Sequence, residues 1–122
     1  LGDQDSVIRP LALELYKRAK CTTLILKLRD RGIITYRKPD PGVRSFFTID
    51  SFADRVIDPV GAGDALLAYA TLSMAVNGSS VIGSILGTMA AAVACEQDGN
   101  VAVAPEDVLD KLAITEKRAN YA

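Results

Sequence analysis

Asp58-Pro59-Val60-Gly61-Ala62-Gly63-Asp64 runs straight into the uncharged stretch Ala65 to Val76, and chemistry is concentrated there. A glycine-rich turn that opens a helix leaves several backbone N–H groups without intrahelical partners, aimed at one spot. Glycine lets the backbone approach a ligand closely, and the helix dipole adds positive potential. Such a place takes an anion, either a phosphate or the charge on a phosphoryl group in transfer. A carboxylate at Asp64 would repel a bound phosphate and cannot serve as its ligand. It makes sense as the acceptor of a proton from a hydroxyl that attacks phosphorus. An anion hole at Gly61, Ala62 and Gly63 beside a general base at Asp64 is the minimum kit for phosphoryl transfer to an alcohol. The plainer alternative is a turn in which Asp64 only complements the dipole, since G-x-G alone is a weak signal. Two other phosphate motifs fail. No G-x-x-x-x-G-K-[ST] occurs, and G-x-G-x-x-G breaks at Leu66.

The elements around this loop follow from periodicity and punctuation. Residues 10–20 read as an amphipathic helix with Pro10 in its first turn. Thr22 to Leu28 is an apolar, β-branched run and reads as a buried strand. Asp30-Arg31-Gly32 is a tight turn into a second, paired strand, Ile33 to Arg37. Two prolines in Lys38-Pro39-Asp40-Pro41-Gly42 interrupt the sheet. Phe46 to Ile49 resumes it, and Arg55-Val56-Ile57 reads as a short further strand. Beyond the loop, a helix over Ala65 to Val76 stops at Asn77-Gly78, and Ser79 or Ser80 caps the next, roughly 80–97. Gly99-Asn100 turns into a short strand, Val101 to Val103, and Pro105-Glu106-Asp107 opens a last amphipathic helix. Strands followed by buried helices indicate an α/β domain, one layer or edge of a larger sheet.

Composition narrows the function classes. The 122 residues suffice for one domain, and 49% apolar content can form a core. A net charge of −1 argues against a dedicated nucleic-acid binder. The chain has 0 His, which excludes Ser–His–Asp and Cys–His nucleophile systems and His-ligated zinc. Cys21 and Cys95 form no metal-binding or disulfide pattern, so a reducing, cytoplasmic location is expected. The uncharged run from Ala65 to Cys95 is long enough to span a bilayer, but Asn77-Gly78-Ser79-Ser80 divides it into halves too short to do so. Two helices buried in a soluble domain account for it better, with Gly83 and Gly87 marking close helix packing. Nine Lys or Arg between Lys17 and Arg44 read as a solvated face or a polyphosphate-facing edge.

Asp58-Pro59-Val60-Gly61-Ala62-Gly63-Asp64 with Ala65-Leu66-Leu67-Ala68 resembles the second signature of the PfkB (ribokinase-like) carbohydrate kinases, D-T-x-G-A-G-D-x-F. Leu24 to Gly32 resembles that family's T-L-G-x-x-G strand and turn beside the nucleotide. Thr88 to Ala94 resembles its alanine-rich helix against the adenine. Lys27-Leu28 and Glu96 to Asn100 look most like the heptose-phosphate kinase branch. The resemblance covers roughly residues 8–112. It implies the C-terminal, nucleotide-side part of a three-layer α/β/α fold, with all of residues 1–122 in that part. It further implies ATP-dependent phosphoryl transfer to a sugar or sugar-phosphate hydroxyl, with Asp64 as base and Gly61, Ala62 and Gly63 as anion hole. By the same resemblance Lys27, Arg29, Gly32 and Thr88 line an ATP/ADP site, and Asp58 helps hold a potassium ion.

Three residues depart from the pattern. Arg29 replaces a glycine of the turn, narrowing the nucleotide edge or reaching a phosphate. Pro59 replaces Thr or Ser, and Leu67 replaces Phe. The N-terminal half of such a kinase, with most of the sugar site and the N-x-x-E element that organises Mg2+, has no counterpart in these residues. A truncated piece, inactive alone, is therefore expected. The alternative reading is a nucleotide- or phosphate-binding module without catalysis. No membrane or nucleic-acid partner is expected, and a homo-oligomer is compatible with the apolar surface that a missing half would leave.

Overall fold

The computed structural model describes residues 2–28, 31–38, 41–98 and 102–121. Its elements run α1 (Gly2–Ala19), β1 (Thr23–Lys27), β2 (Ile33–Arg37), β3 (Phe46–Ile49), α2 (Ala62–Asn77), α3 (Ser80–Cys95) and α4 (Pro105–Tyr121). This is a mixed helix and sheet architecture, as the strand-then-helix order predicts.

The three strands pair antiparallel in the order β1-β2-β3, with Lys27 opposite Ile33 and Ile33 opposite Ile49. β2 is central, and its side chains alternate between two faces. Ile34 and Tyr36 pack on Ala12 of α1, with Tyr16, Leu24, Leu26 and Phe46 around them. Thr35 faces the other way, and its hydroxyl bonds that of Ser84 on α3 at 2.9 Å. Both hydroxyls are fully buried, so each satisfies the other where water cannot reach.

α2 and α3 form an antiparallel hairpin. Gly78, at φ 72°, ends α2 and donates its N–H to the Met74 carbonyl, while Ser79 Oγ accepts the Ile82 N–H at 3.1 Å to begin α3. The two helices approach closely because Gly83 and Gly87 carry no side chain. A Cβ added at Gly87 would stand 2.9 Å from the Leu66 carbonyl oxygen, and one at Gly83 2.7 Å from Met74 Cγ. The G-x-x-x-G is thus a packing device inside the fold. α4 covers α3 through Val108, Met89 and Ala90, with Phe52, Tyr69 and Leu112 completing this second core. Asp107 reaches back to the Ala104 N–H at the start of α4.

Three expectations differ from what is observed. α1 begins at Gly2, so Pro10 lies inside the helix instead of in its first turn. Proline removes one hydrogen bond of the ladder, and the helix runs on through it because a longer helix can absorb that loss. Arg55 to Ile57 is not a strand. The Ile57 and Asp58 N–H groups both donate to the Cys95 carbonyl, at 2.8 and 3.0 Å, so a helix end takes the place of a neighbouring strand. Val103 is likewise not in a strand, because its carbonyl accepts the Tyr69 hydroxyl at 2.6 Å. Gly99, Asn100 and Val101 lie outside the described residues. No helix among the described residues is long and apolar enough to cross a membrane.

Candidate functional site

The loop before α2 is built by local bonds. Asp58 Oδ1 accepts the Val60 N–H at 3.0 Å, turning the chain at Pro59. Gly61 then adopts φ 86°, ψ −8°, a left-handed conformation that glycine takes without penalty, and α2 starts at the next residue. The Ala62 N–H donates to the Pro59 carbonyl at 3.2 Å, so it belongs to the turn. The N–H groups of Gly63 and Asp64 find no acceptor among the described residues. These two donors stand at the positive end of a 16-residue helix, where a negative charge is favoured.

A cavity of about 560 Å³ opens beside this helix start. Lys27 and Gly32, at the adjoining ends of β1 and β2, form one side. Thr88, Ala92 and Cys95 form another, at the spacing that puts residues on one face of α3. Ala62 and Leu66 of α2 and Ala53 and Val56 of the preceding segment complete the lining, which is mostly apolar. The Thr88 hydroxyl donates to the Ser84 carbonyl at 2.7 Å, so its proton is committed within the helix. A second, smaller hollow of about 350 Å³ lies between β1 and α2 and includes Gly63, with Lys27 lining both.

Lys27 makes the site electrostatically distinctive. A Cβ added at Gly63 would stand 3.0 Å from Lys27 Nζ, so the ammonium lies against the first turn of α2. Two positive ends therefore meet, a full charge and a helix dipole, an arrangement that repels unless an anion lies between them. Lys27 has no ion pair with any described residue. Burial pushes the Cys95 thiol pKa up, Lys27 opposes that rise, and the Glu96 and Asp58 carboxylates add to it.

Gly32 has to be glycine. Its φ is 94°, and a Cβ there would collide with the Ile49 carbonyl oxygen. The turn it closes is tied by the Leu28 N–H to the Gly32 carbonyl at 2.8 Å.

The fold thus brings Lys27, Gly32, Thr88 and Ala62 to one cavity although they span most of the chain. Asp64 is exposed on the first turn of α2 and lines neither hollow. Arg29 lies outside the described residues. Among the described residues no group of three His, Cys, Asp or Glu side chains is placed to hold a metal ion. Sequence reasoning set the Thr88 to Ala94 helix against the nucleotide, Ala92 included, but missed Cys95, though its i+7 spacing from Thr88 carried the signal. It missed Val56 for a different reason, having taken Arg55 to Ile57 for a strand, and it assigned Ala53 no element.

No family model matches the chain, and no curated protein matches it. Among solved structures it is similar to the nucleoside kinase of Methanocaldococcus jannaschii, an archaeal member of the ribokinase family, with a TM-score of 0.63 and 24% identity. The match covers 76% of this chain and 30% of that one, so the chain spans less than a third of the neighbour's length. At this identity the likeness is one of fold. The chain has the fold of part of a ribokinase-family kinase.

Proposed function

We propose that this segment is the nucleotide side of a phosphotransferase that moves a phosphoryl group from ATP to an alcohol. The observation that carries it is the Lys27 ammonium at the N-terminal turn of α2, without an ion pair among the described residues and beside a largely apolar cavity. A ligand with a flat apolar body and an anionic tail fits that combination, and a volume of about 560 Å³ falls in the range of small-molecule sites. The base and ribose lie between Gly32 and the face of α3 carrying Thr88, with phosphates over Gly63. Lys27 and the N–H groups of Gly63 and Asp64 hold the phosphates and the charge developing in transfer.

Asp64 accepts the proton of the attacking hydroxyl from the solvent side of the loop. The acceptor is a sugar, sugar phosphate or nucleoside. The first two follow from the PfkB-like loop and its heptose-phosphate-like flanks, the third from the named neighbour. The groups that hold the acceptor lie on chain beyond these residues, in a three-layer α/β/α arrangement, so the segment alone has no turnover. Among the described residues no three His, Cys, Asp or Glu side chains gather to hold a metal ion, so ligands for Mg2+ would come mainly from outside this segment. Asp58 would be this segment's contribution to a potassium site. The free thiols Cys21 and Cys95 agree with a reducing cytoplasm.

A second reading, a nucleotide-binding module without catalysis, is favoured by one feature: Asp64 lines neither hollow. Titration of the 15N-labelled chain with ADP tests the binding claim common to both readings. Amide signals of Lys27, Gly32, Gly63 and Ala92 should move, while those of α1 stay. A folded chain in which none of the four responds would overturn it.

A further inference from the structure

The segment from Ala53 to Asp58 forms one wall of the cavity yet belongs to neither helix nor strand. Among the described residues few bonds hold it. Phe52, just before it, packs into the core between α3 and α4. At its far end Ile57 and Asp58 donate to the Cys95 carbonyl. Between these anchors the ties are electrostatic and converge on α4. Lys111, with a side chain only 7% exposed, bonds both Glu96 oxygens at 2.9 and 3.0 Å and Asp54 Oδ2 at 3.2 Å. Glu96 Oε2 in turn accepts the Asp54 N–H at 2.8 Å. Arg118, also on α4, takes the remaining Asp54 oxygen at 2.6 Å.

We propose that Lys111 is a positioning residue for the ligand cavity, locking the 53–58 wall to the end of α3 from a helix that does not line the cavity. The inference rests on reading that cavity as the nucleotide site. Asp54 and Glu96 each stand next to a lining residue, Ala53 and Cys95. Without the ammonium, two carboxylates would face each other across the joint between wall and helix, with Arg118, on the exposed side, the one cation bonded to them among the described residues. Like charges so placed repel, and a carboxylate whose buried partner is removed loses the compensation for its desolvation. The wall would then open locally at a lower free energy than the whole fold. The hydrogen bonds from Arg118 and Lys111 hold the Asp54 carboxyl below the usual carboxylate range, which agrees with a working clamp.

The test combines amide hydrogen exchange with ADP binding on Lys111→Met, which keeps most of the unbranched apolar stem and removes the charge. The Ile57 and Asp58 amides should lose at least tenfold in protection while Ile34 and Thr35, in β2, keep theirs. The dissociation constant for ADP should rise about tenfold. An equal loss at all four amides would make Lys111 a general stabiliser and overturn the proposal. So would selective loss at Ile57 and Asp58 with unchanged ADP affinity. If the wild-type chain bound no ADP, the nucleotide reading would fail separately, and the exchange pattern alone would decide whether Lys111 holds the wall. Should Lys111→Met not fold, Glu96→Gln serves. It keeps a carbonyl oxygen for the Asp54 N–H but weakens the bond to Lys111, and is expected to give a smaller shift in the same two amides. No difference from wild type at those amides would again overturn the clamp.

Discussion

Replacing Lys27 by Met is expected to weaken ADP binding while leaving adenosine binding unchanged. A phosphate bound by the Gly63 and Asp64 N–H groups would sit about 4 Å from the ammonium. Coulomb attraction there is about 4 kcal/mol at an effective dielectric of about 20 and about 1 kcal/mol in bulk water. Lys27 is exposed, and ordering a lysine side chain costs entropy, which places the net effect nearer the lower figure. A loss of about 1–2 kcal/mol corresponds to a dissociation constant raised about 5–30-fold. Adenosine carries no phosphate and should bind both proteins alike. Thermal stability should hold or rise slightly, because the substitution removes a cation from the positive end of α2, where it costs about 0.3–1 kcal/mol. Calorimetric titration at low and high salt checks the argument, since the gap between the two proteins should narrow as the Debye length shrinks. An ADP affinity within twofold of wild type, or an equal loss for adenosine, would refute the placement of phosphate beside Lys27.

Two further outcomes are expected. Asp64→Asn keeps the side chain's shape and removes its proton acceptor, so in a catalytically active chain containing this segment kcat should fall about 10²–10⁴-fold with ADP affinity retained. Near-normal kcat in steady-state kinetics would leave Asp64 only complementing the helix dipole and favour the binding-module reading. Gly32→Ala combines a left-handed backbone with a Cβ driven into the Ile49 carbonyl, and should cost more than about 2 kcal/mol in chemical denaturation. A loss below about 0.5 kcal/mol, the usual scatter of surface changes, would contradict the described turn.

Local features were legible because their causes lie within a few residues of one another. The apolar, β-branched runs at Thr23 to Lys27 and Ile33 to Arg37 became strands, and Asn77-Gly78-Ser79 separated α2 from α3. Asp58 to Asp64 became a turn that opens a helix, because glycine tolerates the left-handed backbone at Gly61. Pro10 misled the boundary of α1, since its preference for a first turn is a tendency that a longer helix can override at the loss of one bond. Arg55-Val56-Ile57 misled in the opposite direction. Its β propensity had no neighbouring strand to satisfy it, and the Cys95 carbonyl offered an acceptor instead.

The glycine-rich loop, the turn at Gly32, and the helix with its small-residue face at Thr88 are written in the sequence by residue type and period. Which of them share a cavity is not, because residues 27 and 95 meet only after two helices and three strands have packed. Tertiary structure alone put the Lys27 ammonium against Gly63, used Gly83 and Gly87 to bring α3 onto α2, and buried Lys111 between Asp54 and Glu96. Periodicity reports which face of an element is apolar, whereas the partner of that face is set by long-range packing. A charge such as Lys111, which reads as surface on an amphipathic helix, therefore declares its role only once the carboxylates opposite it are in place.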